Sequence, residues 1–137
     1  MTTTARCVTV CVLLASFCTV SCGDESETTA PTSVTSPTTV SWTTHLGTTG
    51  SASRSFVTSQ AGTVTVTLQS AAVPLGVGVG VPAASGSGCR PAVSVTAAPN
   101  DAPQLTTAVE EGTYCVLVFD VGGIVDPIPF TLQLVYP

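Results

Sequence analysis

Lysine is absent from this 137-residue chain, and Arg6, Arg54 and Arg90 supply every cationic side chain apart from a lone histidine. Charged residues make up only 8% of the sequence, and the formal net charge is −5. A chain so poor in cations has no basic patch to release counterions from a phosphate backbone, which excludes nucleic acid as a partner. Electrostatic attraction to anionic lipid is excluded for the same reason, so any membrane attachment has to be covalent or hydrophobic. Aromatic residues, at 5%, are too few to define a stacking platform. His45 is the only histidine. A Ser-His-Asp site would have to use it, yet no Gly-x-Ser-x-Gly elbow is present. One histidine is also too few for an ordinary zinc site when the cysteines are bonded. No segment carries a helical hydrophobic period.

Thr, Val, Ser and Gly dominate what remains. β-branched side chains favour the pleated surface of a sheet, so the composition points to strands. The chain is long enough for one domain with a single core.

The N-terminal segment reads differently. Arg6 precedes the apolar run Val8–Val20. That run is too short to cross roughly 30 Å of hydrocarbon as a helix, and its length and flanks are those of a signal-peptide core. A buried core helix is the competing reading, against which stands the polar stretch that follows at once. Residues 1–21 are therefore expected to be removed, which takes Arg6 away and leaves the mature chain at −6 rather than −5.

Thr19-Val20-Ser21-Cys22 resembles the lipobox of bacterial lipoproteins, in which the cysteine receives diacylglycerol and becomes the new N-terminus. Val20, Ser21 and Cys22 fit that pattern, and Thr19 stands where Leu is usual. The resemblance implies lipidation at Cys22, palmitate-type acylation and attachment to the bacterial cell envelope, with the domain facing the periplasm or the outside. Cysteine parity agrees. Cys7, Cys11 and Cys18 leave with the signal, and Cys22, Cys89 and Cys115 remain. Lipidation of Cys22 accounts for the odd thiol and leaves Cys89 and Cys115 to pair. The alternative is ordinary cleavage after Ser21 with a free thiol at Cys22, exposed in an oxidising compartment.

Residues 22–39 form a linker. Gly23-Asp24-Glu25-Ser26-Glu27 is acidic, and residues 28–39 are almost entirely Thr, Ser and Pro. This composition cannot bury apolar surface and is expected to stay extended. It serves as a spacer, and as an acceptor tract for O-glycosylation in a sharper reading.

Residues 40–137 alternate with period two and are read as the folded domain. Val40, Trp42 and Thr44 share a face of the first strand. Gly47 to Gly50 form a turn. Ser51 to Ser59 carry Phe56. Thr63 to Leu68 point Val64, Val66 and Leu68 one way. Residues 92–97 and 105–109 are short strands, and Ala83 to Pro91 is read as a loop holding Cys89. Thr113 to Asp120 is apolar on both faces, as a central strand should be, and Pro129 to Tyr136 closes the fold. About eight short strands with turn signals between them imply an all-β fold, a small antiparallel sandwich of jelly-roll type. A Cys89–Cys115 bond would contribute roughly 3.5 kcal/mol by the chain-entropy model.

Leu75 to Val81 alternate apolar residues with Gly76, Gly78 and Gly80. One face fills the core and the other is bare backbone, which implies that another surface lies close. Two readings stand: a flat outer face where small residues are tolerated, or a shallow groove for a carbohydrate or matrix protein. Trp42 is the best candidate for an exposed ring beside such a site, since first strands often lie at an edge. Asp120 and Asp126 flank Gly122-Gly123 and are the only candidate ligands for a hard cation such as calcium. No Asp-rich ligand run accompanies them, so they read more simply as turn formers.

Four stretches carry a family resemblance. Ser55-Phe56-Val57-Thr58, Ala61 to Leu68, Glu111 to Val118 and Phe130 to Leu134 resemble the strand motifs of the bacterial pre-peptidase C-terminal domain. The resemblance spans about residues 40–136 and implies a jelly-roll β-sandwich. Members of that family are usually appended to secreted hydrolases, and some are similar to collagen- or polysaccharide-binding modules that bind calcium. This chain departs from the pattern, having a lipid-anchor motif and no enzyme domain. The expected role is a non-catalytic, surface-tethered binding or structural module. The alternatives are a carbohydrate- or matrix-protein-binding domain and an accessory subunit of a separate exported hydrolase. The expected partners are the membrane, through the N-terminal lipid, and a polysaccharide or an envelope protein.

Overall fold

The structure, a computed structural model, describes residues 36–137. Residues 1–35, with the signal segment, Cys22 and most of the linker, lie outside the described residues. Eight strands follow in order: β1 (Thr38–Leu46), β2 (Ser51–Thr58), β3 (Gly62–Ser70), β4 (Leu75–Pro82), β5 (Cys89–Ala97), β6 (Leu105–Val109), β7 (Gly112–Phe119) and β8 (Ile128–Tyr136). They form two four-stranded antiparallel sheets, ordered β1-β8-β3-β6 and β2-β7-β4-β5. The chain changes sheet at every connection except β4–β5, which gives the double Greek key of a jelly roll.

Period-two alternation explains why these segments pair as they do. Val64, Val66 and Leu68 on β3 meet Phe130, Leu132 and Leu134 on β8, and all six are buried. From the other sheet Leu75, Val77 and Val79 of β4 and Val116 and Val118 of β7 close the same core. Each such side chain contributes roughly 1.5–3 kcal/mol when fully buried. A one-residue slip would turn the threonines inward and the valines out, so the register is strongly specified.

Four positions differ from the sequence-based expectation. Cys89 lies in a strand, not a loop, because β5 begins there and the connection shortens to residues 83–88. Pro91 is tolerated inside β5 because that strand is the edge of its sheet, where a missing N–H breaks no ladder. Opposite the Val79–Gly80 step the β4–β5 register shifts, so that Ala92 is the extra residue of a bulge. β1 begins at Thr38, two residues before the expected boundary at 40.

Cys89 and Cys115 are bonded, with Cα atoms 5.8 Å apart. β4 separates their strands, so the bond spans a sheet position rather than an adjacent pair.

Turn chemistry holds the ends. The Thr58 hydroxyl, fully buried, donates to the Glu110 carbonyl at 2.7 Å and to that of Gly112 at 3.2 Å. The Tyr114 hydroxyl accepts from the Glu110 N–H at 3.1 Å, pinning the β6–β7 turn from its other side. Gln104 extends the sheet with its side chain: Oε1 accepts from the Leu68 N–H at 2.7 Å, and Nε2 donates to the Ala98 carbonyl at 3.2 Å.

Candidate functional site

The glycine run of β4 was the first candidate surface, and the structure closes it. Gly76, Gly78 and Gly80 are all buried, on the side of β4 that faces away from the core. A Cβ at Gly76 would enter the Phe119 ring, which lies across the strand. At Gly78 it would stand 2.9 Å from Pro91 Cβ and 3.1 Å from the Val93 carbonyl oxygen. At Gly80 it would collide with the carbonyl of Arg90. The close approach that the glycines permit is thus made by the chain itself, and no open groove follows their run. The position of the Arg90 carbonyl also accounts for the disulfide. The start of β5 leans over β4 at Gly80, and this brings Cys89 to Cys115 on the far neighbour of β4.

Trp42 is likewise not an exposed ring. It points inward from β1, half-buried, and meets Phe130 edge-on with ring centroids 5.3 Å apart and planes at 83°. Such a pair is worth about 0.5–1.5 kcal/mol beyond its area. Phe56 packs against Tyr114 and Tyr136 with centroids 5.9 and 4.9 Å away. Five of the seven aromatic side chains in the sequence are spent on these core contacts.

Asp120 has a structural task. Its Oδ1 accepts from the N–H groups of Gly122, Gly123 and Ile124 at 2.8, 3.0 and 3.2 Å, and its Oδ2 accepts from the Thr49 N–H at 2.9 Å. Main-chain donors aimed at a carboxylate stabilise its charge, so its pKa lies below the ordinary carboxylate value. The Thr49 N–H is the leading cause; desolvation opposes it, and the three glycine-loop N–H groups assist. A carboxylate that accepts four N–H groups organises its loop, the simpler of the two readings the sequence allows for Asp120. Asp126 is exposed in the same loop. Among the described residues no group of three or more His, Cys, Asp or Glu side chains converges on a metal-sized site. His45 is exposed on β1 opposite Pro129, with none of the described acids in its strand pair.

Two surface features were not read from the sequence. The first is an apolar cleft of about 80 Å³ where the β5 and β6 edges face each other, lined by Val79, Ala92, Val93, Thr107, Val109 and Tyr114. Its lining comes from four strands that only the folded topology brings together. The second is the outer face of the β1-β8-β3-β6 sheet, whose strands contain no Asp, Glu, Lys or Arg. The missing charges were visible in the sequence, but not that these four strands lie side by side.

No protein-family model matches the chain, and comparison with curated proteins finds no match.

Proposed function

We propose that the protein is a non-catalytic lipoprotein of the bacterial cell envelope, a binding or structural module held at the membrane by Cys22. The observation that carries this reading is cysteine parity. Of the three cysteines outside the signal segment, Cys89 and Cys115 are bonded to each other, and Cys22, at the end of a lipobox-like motif, is left over. A jelly-roll sandwich whose polar side chains serve turns supports a module without reaction chemistry. The same fold supports, as part of the proposal, the likeness to pre-peptidase C-terminal domains.

Two measurements test it. Mass spectrometry of the chain from an expressing bacterium should find Cys22 N-terminal and carrying lipid, and Cys22→Ala should release the domain from the membrane fraction. A chain with an unmodified cysteine would overturn the anchoring. Purified protein incubated with solubilised and insoluble envelope material should retain a component of it. A hydrolytic activity abolished by His45→Ala would overturn the non-catalytic reading, and stoichiometric co-purification of an exported hydrolase would convert the module into that enzyme's accessory.

A further inference from the structure

Among the described residues four strands end the two sheets, β1 and β6 in one and β2 and β5 in the other. An edge strand presents a row of unpaired backbone N–H and C=O groups, and proteins blunt such rows with charge, proline, bulges or brevity. Three of these four edges are blunted. β5 carries Pro91 and the bulge opposite the Val79–Gly80 step. β6 is only five residues long. β2 carries Arg54, which stands opposite the core residue Val116 and so places an exposed charge on the inner side of the edge. β1 has none of these devices. It is nine residues long, holds no Asp, Glu, Lys, Arg or Pro, and pairs with β8 without a register shift.

The inner face of β1 is also left incompletely covered. Val40 and Trp42 are half-buried, whereas their partners on β8, Leu134 and Leu132, are buried. The free backbone groups of β1 require an extended strand, and its inner face requires one with apolar side chains at alternate positions.

β1 itself meets both requirements. When it is laid antiparallel on a second copy about a twofold axis at residue 42, Trp42 faces Trp42, Val40 faces Thr44 and Ser41 faces Thr43. Directly opposite residues point to the same side of a sheet, so both cores lie on one side and each copy covers the other's Val40 and Trp42. Aromatic and hydroxyl cross-strand pairs of this kind stabilise sheets. The outward Ser41–Thr43 pair repeats the hydroxyl contact that Thr43 already makes with Thr131 at 3.0 Å. His45, the one titratable side chain of β1, faces Thr39 and no charge. The antiparallel sense also separates the acids. Asp120 and Asp126 lie in the loop at the Leu46 end of β1. Pairing places the two copies' loops at opposite ends of a ladder about 30 Å long, well beyond a Debye length of about 8 Å. A twofold contact closes after two copies, so an unblunted edge of this kind does not propagate into a fibre.

We infer that the β1 edge is an interface for a second copy of this chain, antiparallel and centred on Trp42, which joins the β1-β8-β3-β6 sheets of two molecules into one continuous sheet.

The test is sedimentation of the full-length chain in density-matched detergent, so that only protein mass sediments. A monomer–dimer equilibrium is expected. The emission of Trp42, the single tryptophan of the chain, should shift to shorter wavelength over the same concentration range as water leaves the indole. Ser41→Lys combined with Thr43→Lys opposes two pairs of like charges and should raise the dissociation constant about tenfold or more. Ser41→Glu with Thr43→Glu should do the same, and mixing the two variants should restore dimers, which misfolded chains would not do. Ser53→Lys with Ser55→Lys, exposed on the β2 edge, should change nothing. A chain monomeric at every concentration would overturn the inference. So would association unaltered by the β1 lysines, an equal loss from the β2 lysines, or a lysine–glutamate mixture that stays monomeric. A monomer whose Trp42 emission shifts only on addition of envelope extract would also overturn it, giving the edge to a strand of another protein.

Discussion

The carbonyl of Arg90 stands where a side chain at Gly80 would begin. The obstacle at Gly80 is backbone, and Cys89, the residue before Arg90, is tethered to Cys115. At Gly76 the obstacle is the Phe119 ring, which is half-buried and able to rotate away. The two glycines should therefore differ. Gly80→Ala is expected to cost about 3 kcal/mol or more and Gly76→Ala about 1 kcal/mol, the upper and lower ends of overpacking costs. Phe119→Ala should relieve most of the second cost and none of the first. Urea unfolding of the single and double variants measures all of these. Equal costs at the two glycines would contradict the assignment.

Reduction of the Cys89–Cys115 bond frees a loop of 26 residues in sequence separation. On the chain-entropy model its loss destabilises by roughly 3.5 kcal/mol, a large share of the roughly 5–15 kcal/mol typical of a domain. The Cys89→Ser, Cys115→Ser pair should lower the denaturant midpoint accordingly, and adding reductant to that variant should change nothing further. A midpoint unmoved by the double substitution would show that the lean of β5 over β4 is held by packing alone.

Thr49 adopts a left-handed backbone conformation, φ 54°, inside the Gly47–Gly50 turn. A β-branched residue is a poor occupant of that region, which costs an L-residue about 1–2 kcal/mol. Its N–H, not its side chain, is what Asp120 binds. Thr49→Gly keeps that N–H and removes the strain. It should raise stability by up to about 1 kcal/mol, after the entropy that glycine returns to the unfolded chain is subtracted. The comparison is a thermal melt beside Thr49→Ala, which keeps a Cβ and should gain less.

The strands were legible because their burial follows parity. Val64, Val66 and Leu68 announced one face of β3, and Phe130, Leu132 and Leu134 one face of β8, and those faces meet in the core. The disulfide was legible from the count of cysteines. The glycine run was legible only as a statement that something approaches β4. What approaches is Phe119 and the Arg90–Pro91 backbone, distant in sequence or across a turn, and glycine spacing does not name its neighbour. Trp42 was placed correctly with Val40 and Thr44 on one face, but whether that face looked in or out depended on Phe130 being across the strand pair. Gln104 gave no signal, because an amide completing a strand is indistinguishable in sequence from a loop glutamine. The charge-free sheet face was hidden for a topological reason: its strands are first, eighth, third and sixth in the chain.

Asp120 makes the β7–β8 loop and the β1–β2 turn sensitive to acid. Its folded-state pKa is held below the unfolded value, so its charged form is the one the fold prefers. The contribution is fully present above about pH 4, where the unfolded carboxyl is ionised, and it is lost as pH falls through the lower folded value. The amides of Thr49, Gly122, Gly123 and Ile124 are the reporters, since each donates to this carboxylate. Their chemical shifts should move together on acid titration with one apparent midpoint below that of a free aspartate, while amides in β3 and β8 stay still. Asp120→Asn keeps an acceptor oxygen but no charge. It should abolish that shared transition and leave the loop as open at neutral pH as the wild type becomes in acid. Independent midpoints at the four amides, or a midpoint at or above the free value, would mean that the carboxylate does not organise the loop.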